Sequence, residues 1–277
     1  MLLVDIVPRV EARRFAKIPA KTPIRSVIEQ LRQNDLIPLL IEPSPETLGP
    51  RVVSGYSLVS KIAQLPSSRF GPFLDSPASE SSLAIGSIDE NEDLVSLLHV
   101  FEATTIGFAE VLRNNRSTEL IISVKNLLEL YNSGILSSSL ILDDVVSSPV
   151  FSLSRGTKLA ETLRDMLNRK FRRVQIQGTR VIISDREILS FLFSEERLRR
   201  AIKSPERLLD GTLEEIDEKR NEAYWLDGKK NLREAASVLS TPLHDTILSD
   251  RGLITPWDLI IKPWRLGELK IASEVPK

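Results

Sequence analysis

The chain has 277 residues, 42% of them hydrophobic and 27% charged, with 37 basic and 38 acidic side chains leaving a net charge of −1. That length admits one large domain or two of ordinary size, and the balanced charge argues against a nucleic-acid or membrane-surface binder. The chain holds no cysteine, which excludes disulfides, thiol catalysis and cysteine metal sites and fits a cytoplasmic protein.

The apolar run Met1 to Val7 is interrupted by Asp5 and stopped by Pro8, too short and too charged for a signal-peptide core or a spanning helix. No later stretch approaches about 18 uninterrupted apolar residues. From there four segments share one order: amphipathic helix, strand, turn, second strand ending in Ser or Thr, closing helix. In the first, Thr22 is the expected N-cap and Pro23 opens a helix with Ile24, Val27, Ile28 and Leu31 on one stripe. A strand (Ile37 to Glu42), a Pro-rich turn (Pro43 to Pro50) and a strand (Arg51 to Ser54) lead to a helix carrying Leu58, Val59 and Ile62. Pro66 to Ser82, rich in Ser and Pro, reads as an exposed linker.

The second segment carries Leu94, Leu97, Leu98 and Phe101 on its helix, strands at Ile106 to Leu112 and Glu119 to Ser123 around a turn at Asn114 to Ser117, and a closing helix with Leu127, Leu128 and Tyr131. The third has the stripe Leu159, Leu163, Met166 and Leu167, strands Arg173 to Gln177 and Val181 to Ser184 around Gly178-Thr179, and a helix with Ile188, Leu189 and Leu192. Ser194 to Arg220 is highly charged, and its Leu208, Leu209, Leu213 and Ile216 are spaced for a solvated connecting helix, with a partner-binding helix as the alternative. The fourth has Leu232, Ala235, Ala236 and Leu239, a turn at Thr241-Pro242, strands His244 to Leu248 and Leu253 to Thr255, and a helix from Pro256. From the first helix to the hydroxyl that ends the second strand is 30, 29, 25 and 23 positions in the four copies, a spacing that marks a repeat.

The expected architecture is α/β (α+β), four βαββα repeats: repeat 1 at 10–66, repeat 2 at 83–136, repeat 3 at 145–196, a charged helical connector at 197–220, and repeat 4 at 221–268. Each second strand ends in a hydroxyl with a polar residue three positions on: Ser54/Ser57, Ser123/Asn126, Ser184/Glu187 and Thr255/Asp258. A hydroxyl at a strand-to-helix junction stands beside free N–H groups and the positive end of the helix dipole, where phosphate is favoured. A carboxylate or amide one turn on can accept from ribose hydroxyls. The same Ser/Thr-x-x-acid unit is also an ordinary capping box.

The segments Arg172 to Leu189 and Gly252-Leu253-Ile254-Thr255-Pro256-Trp257-Asp258 resemble the CBS family, named after cystathionine beta-synthase. The family pattern is Gly, two apolar residues, Ser or Thr, two variable positions and Asp, and the fourth copy alone matches it in full. The resemblance implies repeats packed through their sheets into two Bateman modules, a disc similar in layout to the gamma subunit of AMP-activated protein kinase. It also implies clefts for AMP, ADP or ATP, with S-adenosylmethionine the lesser alternative, and no covalent cofactor. Thr255 and Asp258 are then the leading phosphate and ribose residues. Ser123 with Asn126 and Ser184 with Glu187 are altered versions, and Ser57 in place of the acid argues against a ribose site in repeat 1. Arg172 and Arg173 lie where phosphate-facing residues are placed. They sit on opposite faces of a strand, and one could instead pair with an acid such as Asp165.

No P-loop, Gly-x-Gly-x-x-Gly, nucleophile elbow or metal-ligand spacing is present, so no catalysis is expected. His99 is expected packed in its helix, and His244 is a candidate to face a cleft. Trp225, Trp257 and Trp264 are expected to pack the last repeat, with Trp257 also placed to line a cleft or meet a partner. The basic stretch Arg164 to Arg173 is interleaved with acidic and apolar residues and reads as a poor nucleic-acid patch. These readings describe an adenine-nucleotide sensor acting on an unidentified regulated protein, with room for a homodimer and no membrane partner. The alternatives are a scaffold that has lost its ligand or a nucleic-acid-binding regulator.

Overall fold

Apolar residues three and four apart leave one greasy stripe on each helix, and burying that stripe on a small sheet creates the repeat. The computed structural model describes the chain apart from residues 11, 35, 44–48, 205–206, 217–221, 242 and 273–277. Residues 44–48 of the first-repeat turn, 205–206 and 217–220 of the connector, and Pro242 therefore lie outside the described residues.

In chain order, α1 (Leu3–Ile6) and β1 (Arg13–Arg14) precede repeat 1, which runs β2 (Lys17–Ile18), α2 (Ile24–Gln33), β3 (Leu39–Ile41), β4 (Arg51–Val53) and α3 (Gly55–Gln64). After α4 (Phe70–Asp75) and β5 (Leu83–Ala84) comes repeat 2, with β6 (Gly86–Asp89), α5 (Leu94–Thr104), β7 (Phe108–Arg113), β8 (Arg116–Ser123) and α6 (Leu128–Asn132). After β9 (Leu136–Ser137) and α7 (Leu142–Val145), repeat 3 has β10 (Ser152–Leu153), α8 (Leu159–Arg169), β11 (Arg173–Ile176), β12 (Ile182–Ser184) and α9 (Asp185–Leu192). After α10 (Glu195–Lys203), repeat 4 has β13 (Tyr224–Trp225), α11 (Leu232–Leu239), β14 (Ile247–Leu248), β15 (Leu253–Ile254) and α12 (Pro256–Arg265), and β16 (Lys270–Ile271) follows. The βαββα order occurs four times. In every copy the first strand is parallel to the second and the second antiparallel to the third.

The chain forms two units. One comprises Met1–Arg14, Ile85–Val150 and Ala223–Lys277 and holds repeats 2 and 4; the other comprises Phe15–Ala84 and Phe151–Glu222 and holds repeats 1 and 3. The family resemblance implies pairing through sheets, but inside each unit the two repeats meet through helices: α3 on α8 and α9, and α6 on α11 and α12. Two short strands also leave their own repeats. β1 extends the sheet of repeat 2 (Arg14 opposite Leu120), and β5 extends that of repeat 1 (Arg51 opposite Ala84).

The stripes of α2, α5 and α11 are buried as their spacing requires. On α8 the buried set is Leu159, Thr162, Leu163 and Met166, with Leu167 only partly covered. Asn114 and Asn115 both take positive φ, 51° and 60°, the geometry a tight hairpin turn demands and Asn tolerates. Four expectations need correction. Pro23, not Thr22, stands at the cap of α2, and the Thr22 carbonyl instead accepts the Ala78 N–H. The stretch read as an exposed linker contains α4, whose Phe70, Phe73 and Leu74 join the core of the repeat 1 and 3 unit. The charged helix of the connector ends at Lys203, while Leu208, Leu213 and Ile216 lie in a turn and a 3-10 segment with their side chains buried. His99 is exposed and meets the Trp264 ring edge-on, with centroids 4.7 Å apart.

One buried hydrogen bond repairs a defect written in the sequence. Pro263 lies inside α12 and has no N–H to give the Leu259 carbonyl four residues earlier. The hydroxyl of Tyr131, 1% exposed on α6, donates to that carbonyl at 3.0 Å. Burial also holds this hydroxyl well above its ordinary pKa. Tyr131→Phe is expected to cost about 1–2 kcal/mol by orphaning a buried carbonyl. In a Pro263→Ala background, where a backbone N–H returns, calorimetry should find the same change nearly neutral.

Candidate functional site

The four hydroxyl-ended strands place their predicted pairs at three helix starts and, in repeat 2, at a turn ahead of α6, and in each the polar side chain folds back onto the strand end. In repeat 1, Ser54 and Ser57 are both buried and exchange bonds: Ser57 N–H donates to Ser54 Oγ at 3.2 Å and Ser54 N–H to Ser57 Oγ at 3.0 Å. In repeat 2, Asn126 Oδ1 accepts from Ser123 N–H at 2.8 Å and Ser123 Oγ at 2.6 Å, though α6 begins only at Leu128. In repeat 3, Glu187 Oε2 accepts from Ser184 N–H at 2.8 Å and from the Ser184 hydroxyl. In repeat 4, Asp258 Oδ2 accepts from Thr255 N–H and the Thr255 hydroxyl, both at 2.8 Å. The capping alternative thus describes the geometry of repeats 1, 3 and 4, and the same exchange closes a turn in repeat 2.

The four acceptors differ in what remains open. A carboxylate offers about four lone-pair positions. At Asp258, 4% exposed, the second oxygen accepts from Ser147 Oγ at 2.8 Å and pairs with Lys262 Nζ at 2.9 Å, so all are taken. Lys262 Nζ is itself held by the carbonyls of Val145 (2.7 Å) and Val146 (2.9 Å). At Glu187, Oε2 carries both capping bonds, and no described residue bonds Oε1.

The helix packing brings the junctions of each unit together. Leu189 on α9 lies 3.5 Å from where a Cβ on Gly55 would stand, so the junctions of repeats 1 and 3 are neighbours. There Arg172 binds the buried Asp185 at 2.8 Å and lies 4.9 Å over the Tyr56 ring. Asp185, not Asp165, is the acid that takes Arg172. Arg173 opens β11 opposite Ser184 and is half-buried. In the other unit, Trp257 lies beside Gly107 and Val124 of repeat 2, and Lys125 Nζ donates to the carbonyls of Thr241 (3.0 Å) and His244 (3.3 Å). The His244 ring faces Tyr224 at 5.3 Å. Trp225 is 41% exposed, so only Trp257 and Trp264 join the core.

Two residues at the fourth junction escaped the sequence reading. Lys262, one turn after Asp258, had a readable signal in the i,i+4 charge pair. Ser147, 111 positions from Asp258, had none. Among the described residues no group of His, Asp and Glu could hold a metal ion, and no helix is long and apolar enough to cross a membrane.

No protein-family model and no curated protein sequence matches the chain. Solved structures do. A protein from Methanocaldococcus jannaschii, described as a proposed archaeal homologue of g-AMPK, superposes with a TM-score of 0.78 at 17% identity, covering 94% of this chain and 99% of its own. The fold is that of four CBS repeats. A conserved protein from Pyrococcus horikoshii shares it at a TM-score of 0.55 and 13% identity, covering 91% of this chain and 97% of its own. A shorter CBS-domain protein from Pyrobaculum aerophilum, solved with AMP, covers 46% of this chain and 90% of its own at 18% identity and a TM-score of 0.36. The Gly-apolar-apolar-Thr-x-x-Asp run that suggested CBS repeats lies at the β15–α12 junction.

Proposed function

We propose that this CBS-repeat chain is a non-catalytic regulatory protein that binds an adenine nucleotide (AMP, ADP or ATP) and passes its occupancy to a partner protein. The observation that carries the reading is the recurrence, at the end of the last strand of all four repeats, of a hydroxyl paired with a polar side chain, in three of them at the positive end of a helix. Ligand state would then act by favouring one conformation of the repeats. Among the four, Ser184 and Glu187 are the best-equipped pair: Glu187 Oε1 keeps its lone pairs for ribose hydroxyls. Arg172 is half-exposed next to Asp185 on the same junction, a cation for phosphate. Thr255 with Asp258 and Ser123 with Asn126 are the further candidates, with Arg173 a second cation.

A second reading, a CBS scaffold without ligand, is favoured by the saturation of Asp258 in the one copy with the full motif. A ribose hydroxyl there must displace Ser147 or Thr255.

Thermal-shift titration with AMP, ADP, ATP and S-adenosylmethionine separates the two. A ligand at about 100 times its Kd adds roughly 2.7 kcal/mol of apparent stability. One nucleotide is expected to raise the melting temperature, and Glu187→Gln to weaken that nucleotide about tenfold. Gln keeps a capping oxygen, so the ligand-free melting temperature should hold. No shift with any of the four ligands would leave the scaffold.

A further inference from the structure

We infer that the end of α8 and the loop after it form a binding surface for single-stranded nucleic acid. Read as a string, Arg164 to Arg173 mixes cations with acidic and apolar residues. The fold sorts them. Met166 is 4% exposed and Leu167 and Asp165 are half-buried, while Arg164, Arg169, Lys170 and Arg172 remain exposed.

Among them Phe171 is 42% exposed, an unusual position for a large apolar ring in a cationic loop. It stacks on Phe151 with centroids 5.7 Å apart and an interplanar angle of 27°, and the Arg169 guanidinium lies 5.2 Å from the Phe151 centroid. Arg172 is engaged by Asp185, but among the described residues none gives Arg164 or Lys170 a carboxylate, and Phe151 is the one contact of Arg169.

The loop is also held in place. Lys170 takes φ +58°, its N–H donates to the Leu167 carbonyl at 3.1 Å, and Phe171 N–H donates to the Met166 carbonyl at 2.9 Å. These bonds fix the backbone that carries the ring and the cations. A rigid ring face flanked by cations fits an unstacked base with its phosphates. Duplex DNA keeps its bases stacked and offers the ring nothing. An acidic peptide would satisfy the cations but give the exposed ring face no planar partner.

The test is fluorescence anisotropy of a labelled oligouridylate about 20 nucleotides long, with the full chain and excess AMP. Uridine and the added AMP keep any adenine cleft out of the reading. Binding is expected, weakening with salt. Phe171→Ala should lower affinity about tenfold and Phe171→Tyr should keep it. Lys170→Asn, which tolerates the left-handed backbone, should lower the salt slope by about one. Both positions are exposed, and unchanged melting curves for the three variants would confirm intact folding. No binding at about 50 mM salt overturns the inference. So does unchanged affinity in Phe171→Ala, or displacement by polyglutamate at equal charge, which would mark a surface for acidic protein.

Discussion

Asp258→Ala is expected to lower the stability of the unit holding repeats 2 and 4 by about 3 kcal/mol, the cost of breaking a buried ion pair from one side. Four donors converge on this carboxylate: Thr255 N–H and hydroxyl, Ser147 hydroxyl and Lys262 ammonium. Its side chain is 5% exposed and that of Lys262 29%, so water can replace little of what is lost. The lost capping-box acceptor accounts for about 1 kcal/mol, and the Lys262 charge left without its counter-ion for most of the rest. Calorimetry should show the melting temperature falling by roughly 6–12 °C. Asp258→Ala with Lys262→Met should recover part of the loss, since the second change removes the stranded charge. A fall under about 2 °C would mean that the carboxylate is not held as described. Loss of nucleotide binding in Asp258→Ala alone therefore cannot assign a ribose contact, whereas Glu187→Gln leaves the fold intact and can.

Gly252→Ala should be comparably damaging for a different reason. A Cβ at this position would stand 2.4 Å from the Ser147 carbonyl oxygen and 2.8 Å from Val146 Cγ2. The glycine lets the 146–147 backbone lie against β15, where Ser147 and Leu253 exchange N–H···O bonds of 2.8 and 3.1 Å. Pushing the two apart strains the bridge that brings Ser147 to Asp258 and the Val145 and Val146 carbonyls to Lys262. A loss of about 2–3 kcal/mol is expected from overpacking against backbone, and Gly252→Val should exceed it. Urea denaturation reads both directly; equal stability of Gly252→Ala and wild type would show that the segment can move aside at no cost. The first residue of the CBS motif is thus explained by close approach of backbone to backbone rather than by any ligand.

The repeat architecture was legible because its signals are local. Ile24, Val27, Ile28 and Leu31 of α2 announce a buried stripe by spacing alone, and Ser184 with Glu187 or Thr255 with Asp258 announce a helix start three residues long. Such signals depend on chain geometry within one or two turns, and the structure kept them. His99 failed as a packed residue because an apolar helix carries a polar face too, and its position on that face depends on where the sheet lies. The linker and connector failed similarly: Phe70 and Phe73 sit in a Ser- and Pro-rich string, and Leu208 and Leu213 carry a helical spacing without forming a helix, yet their apolar area is buried wherever the fold provides a surface.

By itself the sequence determined four βαββα repeats and the polar pair that ends the last strand of each, since each follows from periodicity and capping over fewer than about 15 residues. Tertiary structure alone decided that repeats 1 and 3 share one unit and 2 and 4 the other. It also decided that Ser147 and Lys262 fill Asp258 while Glu187 keeps an open oxygen, and that Phe171 stands outside among cations. Those facts depend on which distant segments meet, and an acceptor's free lone pairs or a ring's exposure is known only once every neighbour is in place.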